Sequence, residues 1–427
     1  MLIRARIVIP VTAPPLEDGA VLVSQGRVLA IGAWGDLRRQ AAGPVTDLGE
    51  VILLPGLVNA HCHLDYTHLA GRLRPPRAFP DWIKAILTAK SEWAFSDFAA
   101  SWLAGSRQLL ESGTTTVGNI ESVPELLTDC RAATPLRIHS FLEMTGVRSG
   151  RNPDSILHEA LRVIHSHPPG PGGFGLSPHS PYSTTPTLLR LCAASAGAEG
   201  LRTTTHVAES LAEFEMFMYR RGPMFEWLEP QRPMEDCGLG SPVQHLERCG
   251  LLGPAHLAVH VNYLWHGDAE RLARTGTHVA HCPTSHTYFG HHRFPREQLE
   301  AAGVNLCVGT DSLASTLGDR AHPPRLSLLA ELREMLSRDD TLRPEDALPW
   351  VTVNGARALG LSGEVGELRE GSRADAVAIP YQGGPTGAVE AVVHHPGPVA
   401  ASLIGGHWAI PPRNGVVAAA SAVSQHG

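Results

Sequence analysis

The chain has 427 residues, 43% of them hydrophobic and 18% charged, with a formal net charge of -7. That length predicts one large domain with a smaller companion, and mild acidity without a Lys/Arg cluster interleaved with aromatics excludes a nucleic-acid partner. Seven scattered cysteines without a C-x-x-C pair exclude a disulfide framework and a thiolate metal site, and no apolar run is long enough for a membrane span.

Arg4 and Arg6 precede an apolar run broken by Pro10, Pro14 and Pro15, which is unlike a signal peptide. With reduced thiols, this makes a cytoplasmic location the expectation. Residues 1 to about 56 alternate short β-rich runs (Ile7-Val8-Ile9, Ala20-Val21-Leu22-Val23, Val28-Leu29-Ala30-Ile31) with Gly-containing turns. The texture returns from Gly363 on, in Gly366-Glu367-Leu368, Asp375-Ala376-Val377-Ala378-Ile379, Ala391-Val392-Val393 and Ala401-Ser402-Leu403-Ile404. The two ends, 1-56 and 363-427, are therefore expected to pair into one composite β-sandwich domain.

Between them, residues 57-362 alternate apolar strands with amphipathic helices, the pattern of a parallel sheet with crossover helices. Eight strand candidates end near His61/His63, Asn119, Glu143, His179, His206, His260, His281 and Asp311, with helices expected at 97-112, 153-166, 209-220 and 323-337. Eight such units predict an α/β fold of the TIM (β/α)8 type. Nearly every strand closes on His, Glu or Asp at its carboxyl end, where such barrels do their chemistry. Buried imidazoles and carboxylates need partners, and a shared metal ion supplies them.

His61-Cys62-His63 places two imidazoles on one side of a strand, able to chelate one ion. The same spacing in His165-Ser166-His167 precedes Pro168-Pro169 at a helix end and reads as surface. Thr205-His206-Val207-Ala208-Glu209 offers a third imidazole with a carboxylate three residues on, which also suits the first turn of a helix. His260 ends the sixth strand as a group for water or substrate, or as a satisfied core histidine. Asp311 ends the eighth as a metal ligand and proton acceptor, or as a cap for the next segment. Gly170-Pro171-Gly172-Gly173-Phe174-Gly175 has the spacing of a dinucleotide fingerprint without its strand-helix context, so it reads as a loop. The stretch around Phe217, Tyr219 and Trp227 reads as packing, or as a lid.

Taken together, Pro55-Gly56-Leu57-Val58-Asn59-Ala60-His61-Cys62-His63, Glu111-Ser112-Gly113-Thr114-Thr115-Thr116-Val117, Ser177-Pro178-His179-Ser180-Pro181-Tyr182, His206-Val207-Ala208-Glu209, His281-Cys282-Pro283-Thr284-Ser285-His286 and Gly309-Thr310-Asp311 resemble the amidohydrolase superfamily. Within it they resemble the deaminase branch that includes methylthioadenosine/S-adenosylhomocysteine, guanine and aminodeoxyfutalosine deaminases, and the likeness spans nearly the whole chain. It implies one divalent ion, zinc with iron or manganese as alternatives, held by His61, His63, His206 and Asp311. It further implies that Glu209, His260 and Asp311 act on water and substrate, and that His179 contacts the substrate. No Lys ends the fourth strand, which argues against a carbamylated-lysine binuclear site. Where the adenosine-analogue deaminases carry a ribose-binding carboxylate after a Trp-Leu pair, this chain has Asp81-Trp82-Ile83-Lys84. Trp82, Glu143, Arg148, Tyr182 and His286 are thus candidates for reading a different substituent.

The expected partner is a small molecule, and a homodimer is compatible with the sequence. The activity expected is hydrolytic deamination of an amino-substituted heterocycle, aminodeoxyfutalosine being preferred for the Cys-Pro-x-Ser-His variant and the missing ribose carboxylate. The same site acting on another C-N bond or an aryl chloride is the alternative. A non-catalytic binding barrel is disfavoured, because no ligand has been lost.

Overall fold

A computed structural model describes residues 1–147, 151–168, 170–318, 323–412 and, as backbone, 416–418. The N-terminal residues form β1 (Leu2–Val8), β2 (Leu16–Ser24), β3 (Arg27–Ala33), β4 (Val45–Asp47) and β5 (Val51–Pro55). Eight strands follow: β6 (Leu57–Cys62), β7 (Thr114–Glu121), β8 (Arg137–Met144), β9 (Phe174–Pro178), β10 (Arg202–Val207), β11 (His256–His260), β12 (His278–His281) and β13 (Leu306–Val308). Each pairs parallel with the next in chain order. The first and last meet at an isolated parallel bridge between Cys62 and Asp311, so the sheet returns on itself as a TIM barrel. Both faces of such a sheet are covered, and accordingly every residue of β6, β7 and β11 is buried.

The seam between β6 and β13 is sewn by Asn59. Its Nδ2 donates to the Thr310 hydroxyl at 2.7 Å, and its Oδ1 accepts from the Thr310 amide at 3.1 Å. Gly309 lets the strands approach, since a Cβ there would lie 2.7 Å from both the Cβ and the carbonyl oxygen of His61.

The chain ends join in a second sheet with β14 (Ala376–Pro380), β15 (Ala401–Ile404), β16 (His407–Ile410) and β17 (Val416–Ala418). Its pairs are antiparallel except where β1 meets β4 over Leu2–Arg4 and then β5 over Ile7–Val8, both parallel. This change of partner makes β1 a branch point of one hydrogen-bonded sheet, with β4 and β17 leading off the main strand order. A buried ion pair ties it to the barrel: Arg137 at the start of β8 donates to Asp375, just before β14, at 3.0 Å.

Two expected strands are absent. Gly366-Glu367-Leu368 lies in a bend outside any strand, and Ala391-Val392-Val393 belongs to the helix Ala388–Val393. Gly387, at φ 83°, starts that helix, whose Ala388, Val392 and Val393 are buried; packing has overridden the β-propensity of adjacent valines. The expected helices appear as Phe95–Glu111, Pro153–Ser166, Leu211–Tyr219 and Leu328–Arg338. A further helix, Phe79–Lys90, has Pro80 in its first turn and walls the active-site mouth.

Candidate metal centre and substrate pocket

Four donors from distant parts of the chain, His61, His206, His260 and Asp311, lie within 4.8 Å of one another, all buried. His63 joins them, its Nε2 3.2 Å from that of His206 and 3.6 Å from Asp311 Oδ1. His260 thus stands as near the centre of the cluster as the four ligands implied by the resemblance. The backbone turns sharply to deliver these groups: Ala208, His260, Val261 and Asp311 have φ of 49°, 75°, 50° and 51°. For a β-branched valine that conformation is strained, and strain of this kind gathers at functional sites.

The donors are aimed by neighbours. His206 donates its Nδ1–H to the His179 carbonyl at 2.8 Å, which fixes the tautomer and leaves Nε2 as a lone pair. Asp311 accepts from the Ser315 hydroxyl on Oδ2 at 3.2 Å, while Oδ1 lies 3.5 Å from His61 Nε2. Burial, then the charge of neighbouring His61, holds His63 well below the usual imidazole range; the same causes bring His206 down to about 3. Burial pushes Asp311 up, but the facing His61 ring and the other surrounding imidazoles outweigh this and leave it well below the usual carboxylate range. His63 and His206 thus favour the neutral form that ligates a metal, and Asp311 the ionised form. The Nε2 atoms of His61 and His260 are buried with no hydrogen-bond partner. Orphaned nitrogens facing a carboxylate are costly alone and are satisfied by one divalent cation, so the residues fit the metal.

Glu209 stands beside this centre, its Oε1 3.7 Å from His260 Nε2. Its backbone is clamped: the amide donates to Glu213 at 2.9 Å, and the carbonyl accepts from Asn262 Nδ2 at 2.9 Å. Ser210 caps the helix that Glu213 enters. Burial, then the charges of Asp311 and Glu213, raise the Glu209 carboxyl well above its usual range, as suits a group that carries a proton.

Above the centre lies a cavity of about 430 Å³, within the size range of small-molecule sites. Of the residues singled out in the sequence, His63, Trp82, Glu143, His179, Tyr182, His206, Glu209 and Asp311 line it. His179 Nε2 is 4.0 Å from Glu143 Oε1. Trp227 lines it as well, whereas Phe217 is core. His286 does not line the cavity: its ring nitrogens bond Asn262 Oδ1 at 3.0 Å and the His292 carbonyl at 2.6 Å, so it braces the asparagine that clamps Glu209. Arg148 lies outside the described residues. Lys84 does not line the cavity: it pairs with Asp81 at 3.4 Å, and its ammonium lies over the Trp227 ring, 5.5 Å from the centroid. His165 and His167 are at the surface or half-buried there, as expected.

The sequence reading missed Asn59, Asn262 and the Ser210/Glu213 cap. The last was visible as Ser-x-x-Glu before an apolar run. It also missed Tyr66 and Lys90, which reach the cavity through tertiary packing alone.

A barrel whose strand ends bring histidines and an aspartate to one buried point, with a buried glutamate at its edge, defines a metal-dependent hydrolase. The chain belongs to the amidohydrolase family, which it matches over residues 52–408. It is similar to a 5-methylthioadenosine/S-adenosylhomocysteine deaminase of Moorella thermoacetica, at 28% identity over 392 residues, covering 89% of this chain and 85% of the relative. In fold it is similar to Helicobacter pylori aminofutalosine deaminase in complex with methylthio-coformycin, with TM-score 0.82, 20% identity, and 95% and 99% of the two chains covered. It likewise resembles atrazine chlorohydrolase from Arthrobacter aurescens complexed with zinc, with TM-score 0.81, 21% identity, and 98% and 96% covered. Among the described residues, no helix is long and apolar enough to cross a membrane.

Proposed function

We propose that the chain is a zinc-dependent hydrolytic deaminase of an amino-substituted heterocycle in a nucleoside-like substrate, with an aminodeoxyfutalosine-like molecule preferred. The observation that carries this is Glu209 3.7 Å from His260 at the edge of the donor set, at the floor of an apolar cavity. The names of the relatives point the same way. In this reading residues 57-362 are the catalytic domain, and 1-56 with 363-427 form the companion domain.

His61, His63, His206 and Asp311 would hold the ion, which when bound supplies Lewis acidity that makes water a competent nucleophile near neutral pH. His260 Nε2 fixes the attacking water, and Asp311 Oδ1 accepts from it. Glu209, protonated by virtue of its burial, donates to the ring nitrogen as water adds to the amino-bearing carbon. The proton taken up by Asp311 then goes to the amine, which leaves as ammonia as its bond to carbon breaks, and the new hydroxyl returns a proton to Glu209 as the carbonyl forms. Glu143 and His179 contact the part of the substrate beyond the reacting ring, and Trp82 packs against it.

The test is ammonia release by zinc-loaded protein from a panel of aminodeoxyfutalosine, methylthioadenosine, S-adenosylhomocysteine, guanine and cytosine. Turnover of an amino-heterocycle with replacement of the amine by oxygen, read by mass, is expected. No turnover across the panel by metal-replete protein overturns the reading.

A further inference from the structure

A buried cation outside the cavity is left without a role by the chemistry above. Arg232 lies in the irregular stretch between the helices Pro223–Leu228 and Pro242–Arg248, and its side chain is only 2% exposed. Its Nη1 donates to the carbonyls of Pro181 and Tyr182, at 3.2 Å each, and its Nη2 pairs with the Asp236 carboxylate. Its Nε donates to the Pro233 carbonyl at 3.1 Å.

The carbonyls of Pro181 and Tyr182 belong to the turn that follows β9, from which His179, Tyr182 and Ser183 line the cavity. Within the turn, the amides of Ser183 and Thr184 donate to the Ser180 carbonyl, and the Ser183 hydroxyl pairs with His179 Nδ1 at 2.6 Å. The next two carbonyls are taken by Arg232. Its own backbone amide donates to the Leu228 carbonyl at 3.1 Å, at the end of a helix whose Trp227 and Leu228 form another part of the cavity wall. The stretch is anchored in turn: the Gly238 amide donates to the Phe217 carbonyl at 2.7 Å, and Arg220 donates to the Met234 carbonyl at 2.8 Å. One guanidinium thus clasps two parts of the cavity wall to each other, on a base that includes the helix after Glu209.

Stability alone is a poor account of this pair. Apolar residues of similar volume commonly match or better a buried ion pair, because both charges must be desolvated. What an apolar side chain lacks is a planar fork of donors that holds two carbonyls and a carboxylate at set angles. Asp236 steadies that fork, accepting from Cys237 Sγ at 3.6 Å and lying 3.9 Å from His245 Nε2.

We infer that Arg232 is a positioning residue: through the Pro181 and Tyr182 carbonyls it fixes the turn that presents His179 and Tyr182 to the substrate, and Asp236 fixes Arg232. The part this turn plays in binding rests on the deaminase reading above.

The test uses zinc-loaded full-length protein as wild type, Arg232→Met, Arg232→Lys and the double variant Arg232→Met with Asp236→Leu, which strands no charge. The first readout is KM and kcat on the panel compound that wild-type protein turns over fastest. Both methionine variants should raise KM by roughly tenfold, the scale of one hydrogen bond to a charged group, with kcat much less affected and zinc content unchanged. Arg232→Lys, which keeps the charge and part of the donor set, should recover much of the loss. The second readout, hydrogen exchange by mass spectrometry, needs no turnover. The amides of Gly146 and Val147, which donate to the Ser183 carbonyl, and those of Ser183 and Thr184 should exchange faster in the methionine variants, while β6 and β13 keep wild-type rates. If no panel compound is turned over yet this local acceleration is seen, the deaminase reading fails and the clasp stands. A double variant with wild-type exchange in the turn overturns the clasp, as does an active double variant with unchanged KM. Faster exchange spread evenly over the barrel, or failure of both methionine variants to fold, also overturns it, since Arg232 then serves folding at large.

Discussion

At the scale of single residues, the glutamate beside the metal cluster makes the sharpest claim. Glu209 handles protons but sits outside the set of four donors closest to one another. Glu209→Gln should therefore keep its metal and lose rate, by roughly a hundredfold to ten-thousandfold in kcat, the usual reach of general acid–base catalysis. Metal content by elemental analysis and kcat on the same preparation check this; a glutamine variant that turns over normally removes Glu209 from the mechanism. Glu331 carries a different prediction. It is buried, its carboxylate accepts from the Thr284 amide at 2.8 Å, and burial raises it to about 8. A carboxyl with a raised folded-state value keeps its proton longer in the native state, so its contribution is most favourable below about pH 4.5. That contribution declines as pH climbs toward 8. In Glu331→Gln the amide oxygen still accepts from Thr284, and the decline disappears. The Tm difference, variant minus wild type, should grow from pH 5 to pH 8, and a flat difference would show that Glu331 is already ionised in the native state. Much of the candidate site was legible residue by residue, because His61, His206, His260 and Asp311 are costly groups at the ends of apolar strands. Lys90 and Tyr66 were not, since no local pattern says which way a helix after the first strand will swing.

At the scale of elements, the donor cluster depends on how closely the first and last barrel strands approach. Gly309 faces the His61 backbone so tightly that a methyl group would meet its Cβ and carbonyl at 2.7 Å. Neither atom is the end of a flexible side chain, so the strands must part. Gly309→Ala should cost about 1–3 kcal/mol, as overpacking usually does. Because His61 moves with the strand, it should also weaken zinc binding, measured by competition with a chelator; zinc affinity equal to wild type would uncouple seam and site. The barrel strands were legible for a related reason: a parallel strand buried on both faces is a short apolar run, and its polar end marks the functional rim. The end sheet was read less well. Ala391-Val392-Val393 has strand composition but helical structure, because Gly387 starts a turn and the core accepts Val392 and Val393 in that form. Nor does composition reveal that β1 divides its pairing between β4 and β5.

At the scale of the whole molecule, the question is whether the sheet built from the chain ends folds with the barrel or merely rests on it. Arg137 and Asp375 bear on this directly, with side chains 4% and 1% exposed and their guanidinium–carboxylate contact bidentate in character. Asp375 Oδ1 also accepts from the Gly405 amide at 2.7 Å, in the turn between β15 and β16, so one carboxylate joins a barrel strand to two parts of the end sheet. Removing one partner of such a pair leaves a buried charge, and Arg137→Met should destabilise by roughly 3–5 kcal/mol. Replacing both, as Arg137→Met with Asp375→Leu, removes the stranded charge and should recover a large part of that loss, less the acceptor taken from Gly405. Urea unfolding followed by tryptophan fluorescence and far-ultraviolet circular dichroism distinguishes the outcomes. Coincident transitions in wild type, with the single variant shifted and the double variant returned toward it, make barrel and end sheet one cooperative unit. An Arg137→Met protein whose end sheet melts first, with the barrel transition unmoved, would show two units that the ion pair only tethers, leaving the metal centre dependent on the barrel alone.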